Sequence, residues 1–246
     1  MGKWTVLVVL AAAQFLMVLD QAVMNVAISQ LVSDFDTTVT TIQAVIALYA
    51  LVMAALMLTG AKLGDIWGRK RAFTIGLVIY GTGSALTAAS WSVPSLTLGW
   101  SVLEGIGAAL VMPALVALAA GNYAGKDRAI VYGVLGGVAG AGIAVGPILG
   151  GWATTELSWR VVFAGEVIVA IGILIGTRWI REPEREGKVP SLDWVGSALA
   201  ALGLSVFVLG ILQASNWGWL HPANSPIEPF GPVSYTHLTL PTNREV

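Results

Sequence analysis

The sequence predicts an all-α transmembrane protein, on three observations. First, the 246 residues are 56% hydrophobic and only 11% charged, whereas a soluble domain carries about 25% charged residues. Second, seven apolar runs are each long enough to cross a hydrocarbon core of roughly 30 Å, and backbone buried in lipid must pair within its own segment, so they read as helices. Third, the basic residues between the runs fall on one side. With no cysteine, a disulfide framework or thiolate metal site is excluded, and two histidines confined to the last 26 residues leave no histidine-based metal centre or general base. The net charge of −1 selects no partner.

The expected spans run near Thr5–Ile28, Thr40–Gly60, Ala72–Ser90, Ser95–Ala120, Ala129–Trp152, Arg160–Ile180 and Asp193–Ser215. The first has one lysine before it and no small-residue cleavage site, so it reads as a retained span and not a cleaved leader. Lys3, the group Lys62, Arg69, Lys70 and Arg71, the pair Lys126 and Arg128, and the group Arg178, Arg181, Arg185 and Lys188 share one side. The other side has Arg160, plus Arg244 in the tail. The basic side is cytoplasmic by the positive-inside rule, which puts the N-terminus inside a cell (inner) membrane. All ten tryptophans except Trp100 fall at or near span edges, as an aromatic belt does.

The fifth run carries the most specific pattern. Gly133–Trp152, GVLGGVAGAGIAVGPILGGW, places Gly142, Gly146 and Gly150 every fourth residue, on one smooth helical stripe that a neighbouring backbone can approach closely. Pro147 lacks a backbone donor and is expected to bend the helix. The set Gly133, Gly142, Gly146, Pro147, Gly150 and Gly151 resembles the fifth-helix antiporter motif of major facilitator transporters that exchange a substrate for protons.

Further segments carry the same resemblance. LDQAVMNVAISQL (Leu19–Leu31) is similar to the first-helix motif of the fourteen-helix drug:proton antiporters at Asp20, Asn25, Val26 and Ala27, with Ala22 and Ser29 departing from it. Asp20 lies about 15 residues into its helix, roughly 23 Å from the cytoplasmic end, a depth at which a carboxyl is costly and functional by default. GAKLGDIWGRKR (Gly60–Arg71) resembles the superfamily's cytoplasmic loop signature through Leu63, Gly64, Asp65, Gly68 and Arg69; Ala61 and Ile66 depart. Here Asp65 is expected to accept from the free N–H groups of a helix start, Gly68 to turn with positive φ, and Arg69 to pair with a carboxylate across the domain. LGWSVLEGIGAALVMPA (Leu98–Ala114) is similar to the fourth-helix motif at Gly105, Gly107, Ala108, Ala109 and Pro113, but Trp100 stands in place of its Arg and Glu104 in place of its Gln. Two readings stay open: Glu104 takes over the proton role, or it pairs with a polar group to hold the bundle. SWRVVF (Ser158–Phe163) and DWVG (Asp193–Gly196) resemble the same drug exporters, with Glu166 replacing an Asn.

The resemblance implies the six-helix N-terminal half of a major facilitator fold, residues 1–180, followed by a solvated cytoplasmic linker (181–192), a seventh transmembrane helix (193–219) and a polar tail (220–246). Residues 233–246, VSYTHLTLPTNREV, fit nothing before them and read as a sequencing artefact at the end of a truncated frame, with the C-terminal half of the transporter missing. The implied function is proton-coupled efflux of drug-like molecules by alternating access, driven by the proton-motive force. Asp20, Glu104 and Glu166 are the proton-coupling candidates, with Glu166 also able to pair with Arg160. Asn25 and Trp100 are substrate-path candidates. The expected partners are a small-molecule substrate, protons, the lipid bilayer and the missing half. No catalytic residue, metal or cofactor is expected, and the absence of a Lys-Ser/Thr glycine loop gives no sign of ATP or nucleic-acid binding. The alternatives are a uniporter or symporter of the same fold, or a non-transporting membrane sensor or assembly protein.

Overall fold

A computed structural model describes residues 4–184 and 191–217. It is all-α among these residues. The spans are α1 (Thr5–Val26), α2 (Val39–Trp67), α3 (Arg69–Ala88), α4 (Val93–Asn122), α5 (Gly125–Glu156), α6 (Trp159–Trp179) and α7 (Trp194–Trp217). Six of the seven are long and apolar enough to cross a membrane. The exception, α3, opens Arg-Lys-Arg and carries Thr74, Tyr80, Thr82, Ser84 and Thr87 along its 20 residues. Its polar side chains lower its hydropathy, yet Tyr80, Ser84 and Thr87 are buried against the bundle.

Helix ends follow local chemistry. A short helix, Ile28–Asp34, continues α1 after a break at Ala27. Thr38 caps α2 by accepting from the Thr41 N–H at 3.2 Å. Ser92 and Ser95 form a reciprocal capping box at the start of α4, with Pro94 in its first turn, where a missing N–H costs nothing. Ser158 accepts from the Arg160 N–H to start α6. The expected cytoplasmic loop at 62–71 is a sharper feature than the sequence suggested. The α2 helix runs through Asp65 to Trp67, a single residue, Gly68, breaks it with φ 105°, and α3 starts at once. Only a residue without a Cβ takes that conformation cheaply.

α1 lies along α5 and also meets α6; α3 packs between α4 and α6, and α4 also meets α2. The core is apolar and aromatic, with Leu10, Leu16, Met17, Phe73, Trp100 and Phe163 fully buried. Outward, Val8, Leu58, Val78, Leu98, Ile143, Ile148 and Ile168 are exposed, an apolar exterior that only lipid or another protein covers without cost.

Glycines set how closely the helices approach. A Cβ at Gly142 would stand 2.9 Å from Val18, one at Gly150 3.1 Å from Val23, and one at Gly146 would overlap Ala22. The stripe therefore faces α1, as its spacing implied. Gly133, at the other end of the motif, has open space, and Gly151 only ordinary contact. The helix is continuous through Pro147. A second glycine seam, between α3 and α4, was not anticipated. A Cβ at Gly83 would stand 2.7 Å from both the Gly99 carbonyl oxygen and the Glu104 Cγ, and one at Gly107 would stand 2.7 Å from the Tyr80 nitrogen.

The connector after α6, expected as a solvated segment, is docked over its first residues. Asn122 and Arg181 exchange two hydrogen bonds, Asn122 Nδ2 to the Arg181 carbonyl at 3.1 Å and the Arg181 N–H to Asn122 Oδ1 at 3.3 Å. Glu182 accepts from the N–H groups of Arg69 and Lys70, at 2.7 and 2.9 Å. Residues 185–190 lie outside the described residues, as do 218–246, which include the end of the expected 193–219 helix and the whole tail with 233–246. Contacts divide the chain into one unit of residues 1–208 and a second of 209–246. The second is described to residue 217, all of it helical.

Candidate functional site: a buried carboxylate cluster

Three helices each deliver one acid to the same place. Asp20 comes from the C-terminal half of α1, Glu104 from α4 and Glu166 from α6. Their relative exposures are 0%, 0% and 2%. One carboxylate oxygen of each lies within 4.8 Å of one from each of the others. The sequence pointed to all three residues separately, by their depth; their convergence is a finding of the fold.

The α3–α4 seam makes room for it. Glu104 passes position 83 only because that residue is a glycine. The same approach brings three α3 side chains onto the acids. Thr87 Oγ1 donates to Glu104 Oε1 at 3.3 Å, while Tyr80 Oη and Ser84 Oγ donate to Glu166 Oε2 at 3.2 and 3.4 Å. Trp100 Nε1 donates to Asp20 Oδ1 at 2.8 Å, and the Trp100 ring stacks on Tyr49 with centroids 4.5 Å apart and planes 16° from parallel. Residues Thr97–Glu104 form a π-helical stretch within α4. Such stretches widen the turn and recur at functional sites. Trp100 and Glu104 lie inside it and reach different acids' partners, which a regular four-residue spacing did not foretell.

Each acid keeps one oxygen unpartnered: Asp20 Oδ2, Glu104 Oε2 and Glu166 Oε1, with the Tyr49 hydroxyl in the same condition. Among the described residues no basic side chain pairs with any of the three. Two bare carboxylates 4.8 Å apart repel by about 3.5 kcal/mol at an effective dielectric of 20, so the cluster cannot hold three uncompensated charges. It needs protons or a cation.

The expected alternative for Glu166, pairing with Arg160, is corrected. Arg160 binds Asp34 Oδ2 at 3.0 Å and the Ser90 carbonyl at 2.9 Å, with its guanidinium 4.3 Å from the Trp159 ring centre. Trp159 Nε1 also donates to Asp34 at 2.8 Å, and Gln30 links the Thr154 carbonyl to the Trp159 N–H. This clamp ties the extension of α1 to the end of α3, to α5 and to α6. At the corner between α2 and α3, Asp65 does not cap α3. It pairs with Arg69 at 3.7 Å, one helical turn away, and Glu182 takes the capping role instead. Asp65 sits on the last turn of α2, too committed to its own helix to reach the N–H groups beyond Gly68. Of the substrate-path candidates, Asn25 is exposed and donates to the Gln21 carbonyl of its own helix. Trp100 is buried as the partner of Asp20.

A bundle of apolar helices with charge buried inside is the architecture of a membrane transporter half. The sequence profile of the Major Facilitator Superfamily matches residues 10–226, and the chain belongs to that superfamily, whose members are transporters and not enzymes. The chain is 36% identical over 218 residues to the puromycin resistance protein pur8 of Streptomyces alboniger, covering 88% of this chain and 43% of that protein. It is 34% identical over 219 residues to the cephamycin export protein CmcT of Amycolatopsis lactamdurans (87% and 45%), and 31% identical over 222 residues to the probable actinorhodin transporter of Streptomyces coelicolor (88% and 38%). The chain thus spans less than half the length of these relatives. Among solved structures, the peptide transporter POT in complex with sulfate aligns with a TM-score of 0.64 at 16% identity, covering 87% of this chain and 47% of that one. The human organic anion transporter MFSD10 aligns at 0.61 and 17%, covering 93% and 58%. At such identities these likenesses speak to the fold.

Proposed function

We propose that this chain supplies the N-terminal half of a proton-coupled exporter of amphipathic, drug-like molecules, of the fourteen-helix antiporter type, in the inner membrane with its N-terminus cytoplasmic. The observation that carries the reading is the convergence of Asp20, Glu104 and Glu166 in a lipid-embedded core, each with a free oxygen and none with a protein cation. An inert span gains nothing from three buried acids; a coupling site needs groups that take up a charge-balancing ion on one side and give it up on the other. The fourth-helix Arg of the family motif is replaced by Trp100, so the coupling role passes to the acids themselves. Asp20 is the first carrier, held by Trp100, and Glu104 and Glu166 share its charge. The Gly142–Gly146–Gly150 stripe seats α5 on α1, so a movement of either helix is transmitted to Asp20. The relatives named for puromycin resistance, cephamycin export and actinorhodin transport support export of small organic molecules. A second half of the same fold provides the other wall of the path.

The test uses everted vesicles that carry the chain in a transport-competent protein, energised to an acidic interior and followed by acridine orange. Amphipathic compounds, beginning with puromycin, are expected to release protons with the parent and not with Asp20→Asn. Proton release that survives Asp20→Asn, Glu104→Gln and Glu166→Gln alike would remove the cluster from coupling. Release lost with Glu104→Gln alone would move the carrier to α4. Proton movement in the same direction as the compound would identify a symporter.

A further inference from the structure

We propose that the Asp20–Glu104–Glu166 cluster is also a cage for a hard inorganic cation of the size of Na+ or Ca2+, which competes with protons as the compensating charge. The inference rests on the coupling-site reading and adds an occupant to it. Three atoms mutually within 4.8 Å always share a point no farther than about 2.8 Å from each of them, so carboxylate shifts of a few tenths of an ångström give the 2.3–2.6 Å distances that Ca2+ takes from oxygen. The 2.0–2.1 Å octahedron of Mg2+ demands a much larger contraction. The donors are all oxygen: six carboxylate oxygens, and next to them the hydroxyls of Tyr80, Ser84 and Thr87 that touch the acids. No thiolate or imidazole ligand lies in the spans, which disfavours zinc.

The three unpartnered buried oxygens are a second, independent observation. A buried polar atom without a partner costs about 1–3 kcal/mol, and more when charged. A structural hydrogen-bond network that used these acids only to hold helices together would not leave one oxygen idle on each of them. A cation held by one carboxylate oxygen from each acid supplies the compensating charge that the buried cluster otherwise lacks. The nearest basic residue on the same helix as Glu166, Arg160, is already committed to Asp34 and the Ser90 carbonyl, so it does not serve as the counter-charge.

The chain purified in detergent is tested with 45Ca2+ and 22Na+ by equilibrium dialysis, with thermal unfolding as a second readout. One saturable site is expected for one or both ions, with an unfolding midpoint that rises with ion concentration. Asp20→Asn and Glu104→Gln each abolish both effects. Asp36→Asn, an exposed loop acid that tolerates the same left-handed backbone (φ 46°), preserves them. Whichever isotope binds saturably names the ion. Absence of saturable binding for both ions, or binding equal in the parent and in folded Asp20→Asn and Glu104→Gln, overturns the proposal. Proton release is read separately: if it depends on Asp20 while neither cation binds, the coupling reading stands and this inference falls; if a cation binds the cluster and proton release ignores it, the outcome is the reverse.

Discussion

Each buried acid gives one oxygen to a neighbour and keeps the other, and the neighbours are not equal. The Trp100–Asp20 bond, at 2.8 Å, is the shortest of the set, whereas Ser84 reaches Glu166 only at 3.4 Å. Trp100→Phe removes that donor while leaving an aromatic ring to stack on Tyr49, so Asp20 Oδ1 loses its 2.8 Å partner. The expected cost is about 1–3 kcal/mol, read as a lower unfolding midpoint in detergent, against no resolvable change for Trp91→Phe, whose ring is 75% exposed. A Trp100→Phe protein as stable as the parent would show that the indole bond carries no weight. The acids themselves were legible because carboxyls at that depth are rare in any span. Their partners were not. Tyr80, Ser84 and Thr87 are ordinary span residues, and nothing in a linear pattern gives the rotation of α3 about its axis. Arg160 misled for a related reason: on the helix it is a plausible neighbour of Glu166, but Asp34 on the extension of α1 reaches it first.

At the scale of helices, glycine placement is the main determinant of packing, and the two ends of one motif behave differently. Gly146 faces Ala22 with no space for a Cβ, while Gly133 faces nothing within 4 Å. Gly146→Leu is therefore expected to separate α5 from α1 and to lower stability by about 1–3 kcal/mol or more. Gly133→Leu in the same chain should leave it unchanged or slightly better, since a helical Gly costs about 1 kcal/mol relative to Ala. Parallel unfolding of the two variants measures this, and equal behaviour would mean that the stripe is not a contact surface. The α5 stripe was legible because its glycines recur at a strict spacing of four. The α3–α4 seam was not, because Gly76, Gly83, Gly99 and Gly107 are spaced by seven and eight and interlock only once the helices are paired. The π stretch of α4 was equally hidden, since a single glycine, Gly99, in Thr97–Glu104 does not signal one.

For the molecule as a whole, the alternation of basic and neutral connections gives an expected orientation, with the basic connections cytoplasmic. Cysteines are absent, so single ones report cleanly. A membrane-impermeant thiol reagent on intact cells is expected to label Asp36→Cys and to spare Lys70→Cys; the reverse pattern would invert the topology. The order of the helices could be read from the length and apolarity of the runs. The tethering of the connector could not, because Glu182 looks like any acid in a charged run until α3 is placed beside it. That tether has a consequence for biosynthesis. The N–H groups it covers belong to residues 113 and 112 positions earlier in the chain, so at about 5–20 residues per second the start of α3 waits on the order of ten seconds after synthesis for its cap. Until the ribosome has delivered all six helices and the residues just past them, that turn remains open. A nascent bundle is thus marked as unfinished by an exposed helix start, and its closure coincides with completion of the six-helix unit.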